Sequence, residues 1–66
     1  MKSNYKTFIE DLRFDGIPFR TFINDDADMV IRYNENNGDY SEAIYNGTGE
    51  LIRCIDVING ETYIQE

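Results

Sequence analysis

The side chains able to do chemistry in this chain are a single thiol, Cys54, and thirteen carboxylates; there is no histidine. Without imidazole the usual general base near neutral pH is missing, and with it every His-containing triad and zinc site. One cysteine excludes a CxxC redox pair and an all-cysteine metal site. Cys54 lies inside an apolar run with no imidazole to activate it, so it reads as a small apolar filler rather than a nucleophile. The chain carries no P-loop, no GxGxxG and no GxSxG. Carboxylates can be paired, but so short a chain has little material to build a substrate cleft around them. The expectation is therefore no enzyme, no catalytic residue and no cofactor.

The acidic stretch Asn24-Asp25-Asp26-Ala27-Asp28 raises the question of a metal. Counted from Asn24, side-chain oxygens fall at the first, third and fifth positions, and Glu35 stands at the twelfth, a faint calcium-loop spacing. The sixth position is Met29, where such a loop needs glycine for its sharp turn, and no pair of helices flanks it. A polar hairpin loop with Asx-type turns is the better reading, and no metal is expected. Asn46-Gly47-Thr48 fits the glycosylation pattern, but the same residues make a turn and nothing directs the chain to a secretory compartment.

Six basic against thirteen acidic residues leave a net charge of −7. Direct binding to nucleic acid or to an anionic membrane is disfavoured, because phosphates are held by Lys and Arg with release of counterions. An acidic surface attracts basic partners and speeds encounter with them. No charged segment followed by an apolar one marks a leader, and no apolar run reaches the roughly 18 residues of a membrane span. A cytoplasmic protein of a bacterial host cell, with Cys54 reduced, is expected.

Sixty-six residues make one domain, 1–66, near the lower limit for folding without disulfides or metal. Tyr5, Phe8, Ile9 and Leu12 repeat at helical spacing and predict an amphipathic helix over 4–14. Ser3 or Asn4 can cap its start, and Gly16 with Pro18 beyond it marks its end. Strands are predicted at 19–23, 29–35, 39–45, 50–58 and 61–65, the fourth holding the most apolar run, Leu51 to Ile58. Asn-Gly at 37–38, 46–47 and 59–60 lies between β-formers each time, and both residues tolerate the positive φ of a tight hairpin turn. The predicted fold is α+β: one N-terminal helix packed on a five-stranded antiparallel meander.

Turn lengths then set a register. A two-residue turn at Asn59-Gly60 pairs Ile58 with Glu61 and Ile55 with Ile64. A four-residue loop over 46–49 pairs Tyr45 with Glu50, Glu42 with Arg53 and Tyr40 with Ile55. A turn at Asn37-Gly38 sets Tyr33 opposite Glu42 and Ile31 opposite Ile44. One face then carries Met29, Ile31, Tyr33, Tyr40, Ile44, Leu51, Ile55, Val57 and Ile64, and the helix is expected to cover it. The other carries Val30, Arg32, Ser41, Ala43 and Asp56, with an apolar spot at Tyr45, Ile52, Cys54, Ile58 and Tyr63. One short helix cannot cover both faces, so that spot is a candidate partner or dimer surface.

The acids are expected at the two ends of the meander: Asp25, Asp26 and Asp28 with Glu50 at one, Glu35, Asp39 and Glu61 at the other. Glu10, Asp11 and Asp15 belong to the solvent side of the helix and its exit. Duplex DNA carries a charge about every 1.7 Å, so an extended acidic surface can compete for a basic nucleic-acid channel. In size, acidity and lack of histidine the chain resembles the small proteins with which bacteriophages block host defence or nucleic-acid enzymes. That resemblance implies a non-catalytic inhibitor of anti-CRISPR or anti-restriction type, a nucleic-acid mimic whose partner is a nucleic-acid-processing enzyme with a basic surface. The alternatives are a self-associating structural or adaptor module using the open sheet face, possible as a homodimer, and a sponge for a small molecule such as a nucleotide.

Overall fold

A computed structural model describes residues 4–65. Helix α1 (Tyr5–Phe14) precedes strands β1 (Phe19–Ile23), β2 (Met29–Asn36), β3 (Asp39–Tyr45), β4 (Leu51–Ile58) and β5 (Glu61–Gln65). The strands form one antiparallel sheet in the order β1-β2-β3-β4-β5. The expected α+β meander is present, and no element boundary departs from the sequence reading by more than one residue.

Each end of the helix is closed by its own residues. Asn4 sits in extended backbone, and its Oδ1 accepts the Thr7 N–H at 2.8 Å, satisfying one of the unpaired donors of the first turn. At the other end Gly16 takes φ +72°, and the N–H groups of Gly16 and Ile17 donate to the carbonyls of Arg13 and Leu12. This double closure is a Schellman cap, and it turns Ile17 back onto the core.

The four hairpin connections are of two kinds, one at each end of the sheet. Asn37-Gly38 and Asn59-Gly60 have positive φ at both positions and link their strands by two-residue turns. The other two, residues 24–28 and 46–50, are the same five-residue loop built twice. In each, the first N–H donates to the fifth carbonyl and the fourth N–H to the first carbonyl. In each, the leading asparagine Oδ1 collects the N–H groups of the third and fifth residues, at 2.9 to 3.0 Å. The fourth residue takes positive φ in both: Gly49 at +86° and Ala27 at +63°. An L-residue with a Cβ is disfavoured there. Ala27→Gly is expected to stabilise the protein by about 1 kcal/mol, read as a higher urea midpoint at unchanged m-value.

Two bulges correct the expected register. Tyr33 pairs with Ser41 and Asn36 with Asp39, so Asn34 and Glu35 together oppose Tyr40. Asn34 takes φ +56°, the left-handed residue such a bulge needs. Ile31 therefore faces Ala43 rather than Ile44, and Arg32 faces Glu42. Tyr45 pairs with Leu51 and Ile44 with Arg53, leaving Ile52 as the extra residue of β4. Glu42 thus lies opposite Ile55, not Arg53, and Tyr40 opposite Val57; the β4–β5 register is as expected.

A one-residue shift exchanges the faces of a strand pair. Beyond the first bulge the expected assignment inverts, except at Leu51, which stays on the helix side beside Tyr45. Tyr40, Ile44, Ile55, Val57 and Ile64 lie on the open face with Val30 and Arg32, while Ser41, Ala43, Tyr45, Cys54, Asp56, Ile58 and Tyr63 lie on the helix side. The shift puts a small residue, Ala43, beneath the helix next to Ile31 and Tyr45. Leu12 seals this cluster, with Tyr5, Phe8, Ile9, Ile17, Phe19, Met29, Tyr33 and Leu51 around it. Tyr5 meets Tyr45 edge to face at 5.5 Å, and Phe8 meets Tyr33 likewise at 5.3 Å. Among the described residues no helix is long and apolar enough to cross a membrane.

Candidate functional site

The loop that carries Asp25, Asp26 and Asp28 satisfies its own backbone through the Asn24 side chain, so the three carboxylates are not consumed as caps. Asp25 and Asp26 are exposed and Asp28 half-buried, and none of them takes part in an ion pair among the described residues. Glu50, exposed at the end of the twin loop, is equally unpaired there. The two loops lie at the same end of the sheet, joined to β2 and β3, which are neighbours. Asn46 Oδ1 also accepts the Thr48 hydroxyl at 2.7 Å, so this one oxygen takes three donors in shaping the turn. Among the described residues no group of three acidic or thiol side chains converges to hold a metal ion.

The other end of the sheet differs. Glu35, Asp39 and Glu61 gather there as expected, but each is occupied. Glu35 holds the Arg20 guanidinium with both oxygens, at 2.8 to 3.2 Å, and this bonded charge raises the Arg20 pKa further. Asp39 Oδ1 accepts the Asn59 N–H at 3.0 Å and so ties one two-residue turn to the next. Glu61 accepts the Tyr63 hydroxyl at 2.7 Å, which lifts the Tyr63 phenol above its ordinary range. Uncommitted acid is thus concentrated at the loop end, with Glu10, Asp11 and Asp15 adding exposed charge along the helix.

The expected apolar spot is only partly assembled. Tyr45 does not belong to it: the residue is 1% exposed and packs under the helix against Tyr5 and Phe8. The bulge at Asn34 is the cause, since it turns the Tyr45 face toward α1. Cys54 is half-buried, whereas Ile52, Ile58 and Tyr63 are exposed. The last two lie on the helix side of β4 and β5 but outside the cluster that packs under α1, to which β4 contributes only Leu51.

Sequence reasoning missed the arrangement on the open face. Arg32 lies over the Tyr40 ring at 4.1 Å and near the Phe22 ring at 5.3 Å. Its guanidinium also binds Glu42 Oε2, at 2.6 and 2.7 Å. On the same face Val30 and Ile44 are buried without any helix above them. The signal was present in Asn34-Glu35-Asn36, three poor β-formers in a row, which mark the bulge that places Arg32 opposite Glu42.

Chemically the arrangement offers exposed negative charge on a braced loop end and a sheet whose arginines at 20 and 32 are already neutralised. No family model, curated protein or solved structure matches the chain.

Proposed function

We propose that this chain is a non-catalytic binding protein whose loop end occupies a basic, nucleic-acid-binding surface of another protein. The observation that carries the reading is the unequal use of acid. Asp25, Asp26, Asp28 and Glu50 are free of ion pairs among the described residues, while Glu35 and Glu42 are spent on Arg20 and Arg32. Charges that face water unpaired keep their long-range field and steer a basic partner. Loops braced by Asn24 and Asn46 hold those charges in place at little further ordering cost on binding. The partner class is a nucleic-acid-processing enzyme, and the mode is inhibition by mimicry of the phosphate backbone, as in anti-restriction and anti-CRISPR proteins.

The test is affinity capture from a nuclease-treated bacterial lysate, followed by association kinetics with the captured enzyme. Binding is expected to weaken with salt and to be displaced by added DNA or RNA. Changing Asp25, Asp26 and Asp28 together to Asn is expected to slow association about tenfold at low ionic strength. An unchanged rate would remove this loop from the mechanism. A rise in melting temperature on adding nucleotides, with no protein captured, would favour the small-molecule sponge instead.

A further inference from the structure

Among the described residues nothing covers the outer edge of β5, the last strand of the sheet. All five residues of β5 are exposed, although the strand pairs with β4 along its length. Natural edges are guarded by short length, charged side chains (lysine above all), proline, a bulge or a covering element. The β5 sequence Glu-Thr-Tyr-Ile-Gln holds neither lysine nor proline, its register with β4 is unbroken, and its one charge, Glu61, stands at the turn end and is bonded to Tyr63. The other edge, β1, is preceded directly by Pro18 and carries Arg20 clamped to Glu35.

The turn determines which backbone groups of β5 are unused. A two-residue turn at Asn59-Gly60 makes Ile58 and Glu61 the hydrogen-bonded pair that closes the hairpin. By alternation Glu61, Tyr63 and Gln65 bond to β4, while the N–H and C=O of Thr62 and Ile64 point to the open edge. We propose that two copies of this chain pair antiparallel through β5, about a two-fold axis at Tyr63, to form one continuous sheet.

Only a few registers suit the outward groups, and this one is self-complementary in every pair. Thr62 meets the partner's Ile64 as a hydrogen-bonded pair, twice by symmetry. Tyr63 meets the partner's Tyr63 in the close, non-bonded position, and Glu61 meets the partner's Gln65, so no carboxylates stand opposed. The two Glu61 residues are separated by four strand residues, about 13 Å, beyond the screening length of about 8 Å at physiological salt. Ile64 and Tyr63, 58% and 51% exposed, gain neighbours across the seam. A foreign strand would require none of this internal matching, which is why the occupant is a second copy. The seam uses neither Asp25, Asp26, Asp28 nor Glu50, so this inference stands apart from the acidic-loop reading.

So short a seam buries less than a standard interface and predicts a concentration-dependent dimer. Sedimentation of the full chain from about 10 μM to about 1 mM is expected to show monomer and dimer in exchange. Each copy carries −7, so added salt should favour the dimer. Thr62→Pro removes an outward N–H without touching the bonds to β4 and is expected to weaken association at least about tenfold. Register is read by cross-linking with oxidised glutathione in a Cys54→Ser background. Tyr63→Cys is expected to form an intermolecular disulfide readily, since opposed non-bonded positions lie about 4.5 Å apart at Cα. Thr62→Cys, offset from its own counterpart, is expected to form it poorly. A monomer at every concentration would overturn the proposal, as would a dimer indifferent to Thr62→Pro or equal cross-linking at both positions.

Discussion

Tyr45→Ala is expected to remove a large part of the folding stability, read as a much lower urea midpoint. A domain of this length has a total stability of only about 3 to 10 kcal/mol, and emptying a buried aromatic site costs about 3 to 5. Tyr45 is 1% exposed and lies where the helix meets the sheet, edge on to Tyr5, tilted against Phe8, and paired with Met29 and Leu51 in the strands on either side. Tyr45→Phe keeps the ring and is expected to fold, with a urea midpoint close to that of the parent. The two variants differ in a second way. Burial, with smaller contributions from Cys54, Tyr33 and Asp11, pushes the Tyr45 phenol up to about 12. Between the ordinary tyrosine value of about 10 and that raised value, the unfolded chain has lost the proton that the folded chain still holds. Stability therefore falls as pH rises through this window and is unaffected below it. Tyr33, raised chiefly by burial, acts in the same direction. Circular dichroism melts from pH 9 to 12 should show the decline, and Tyr45→Phe should blunt it.

Glu42→Ala is expected to cost about 2 to 3 kcal/mol, because it leaves the partly buried Arg32 guanidinium without its counter-charge. Glu42 is almost wholly enclosed, and its Oε2 receives two nitrogens of Arg32. The guanidinium lies against the rings of Tyr40 and Phe22, so swinging out to water would cost it both contacts. Removing both charges is a different matter. The double change Arg32→Met with Glu42→Leu keeps apolar cover over the same strands and is expected to recover most of the lost stability. Chemical denaturation of the single and double variants separates the two effects. A double variant as unstable as Glu42→Ala would show that the ion pair itself, not its burial, holds this face.

Elements and turns were legible from the sequence because their determinants are local. The helix follows from Tyr5, Phe8, Ile9 and Leu12, and Asn37-Gly38 and Asn59-Gly60 spell their turns outright. The pairing of Ile55 with Ile64 follows from the second of these alone. Faces were harder. They depend on whether one residue, Asn34, adopts positive φ; asparagine tolerates that conformation, but its type does not say which of Asn34, Asn36 and Asn37 takes it up as a bulge. A single extra residue there carries Tyr45 beneath the helix and Ile64 out to the open side. Equally, Asn24 and Asn46 build identical loops, although the first is followed by aspartates and the second by glycines. The acidic ends were legible by position. What could not be read is which acids are already engaged, since the Glu35 bond to Arg20 and the Asp39 bond to Asn59 depend on that same bulged register.

The strand order bears on how the chain finds its fold. Because every strand is hydrogen-bonded only to its neighbours in sequence, each hairpin can close as a local event, over a few residues and within microseconds. No pairing waits for a distant segment, so loop-closure entropy is met in small instalments and relative contact order stays low for a β-rich chain. During synthesis each strand emerges next to one already made, and a sheet of this kind can grow by zipping from the first hairpin outward. The first strands to zip, β1 to β3, supply most of the surface α1 rests on, so the helix gains most of its floor before Leu51 of β4 completes it.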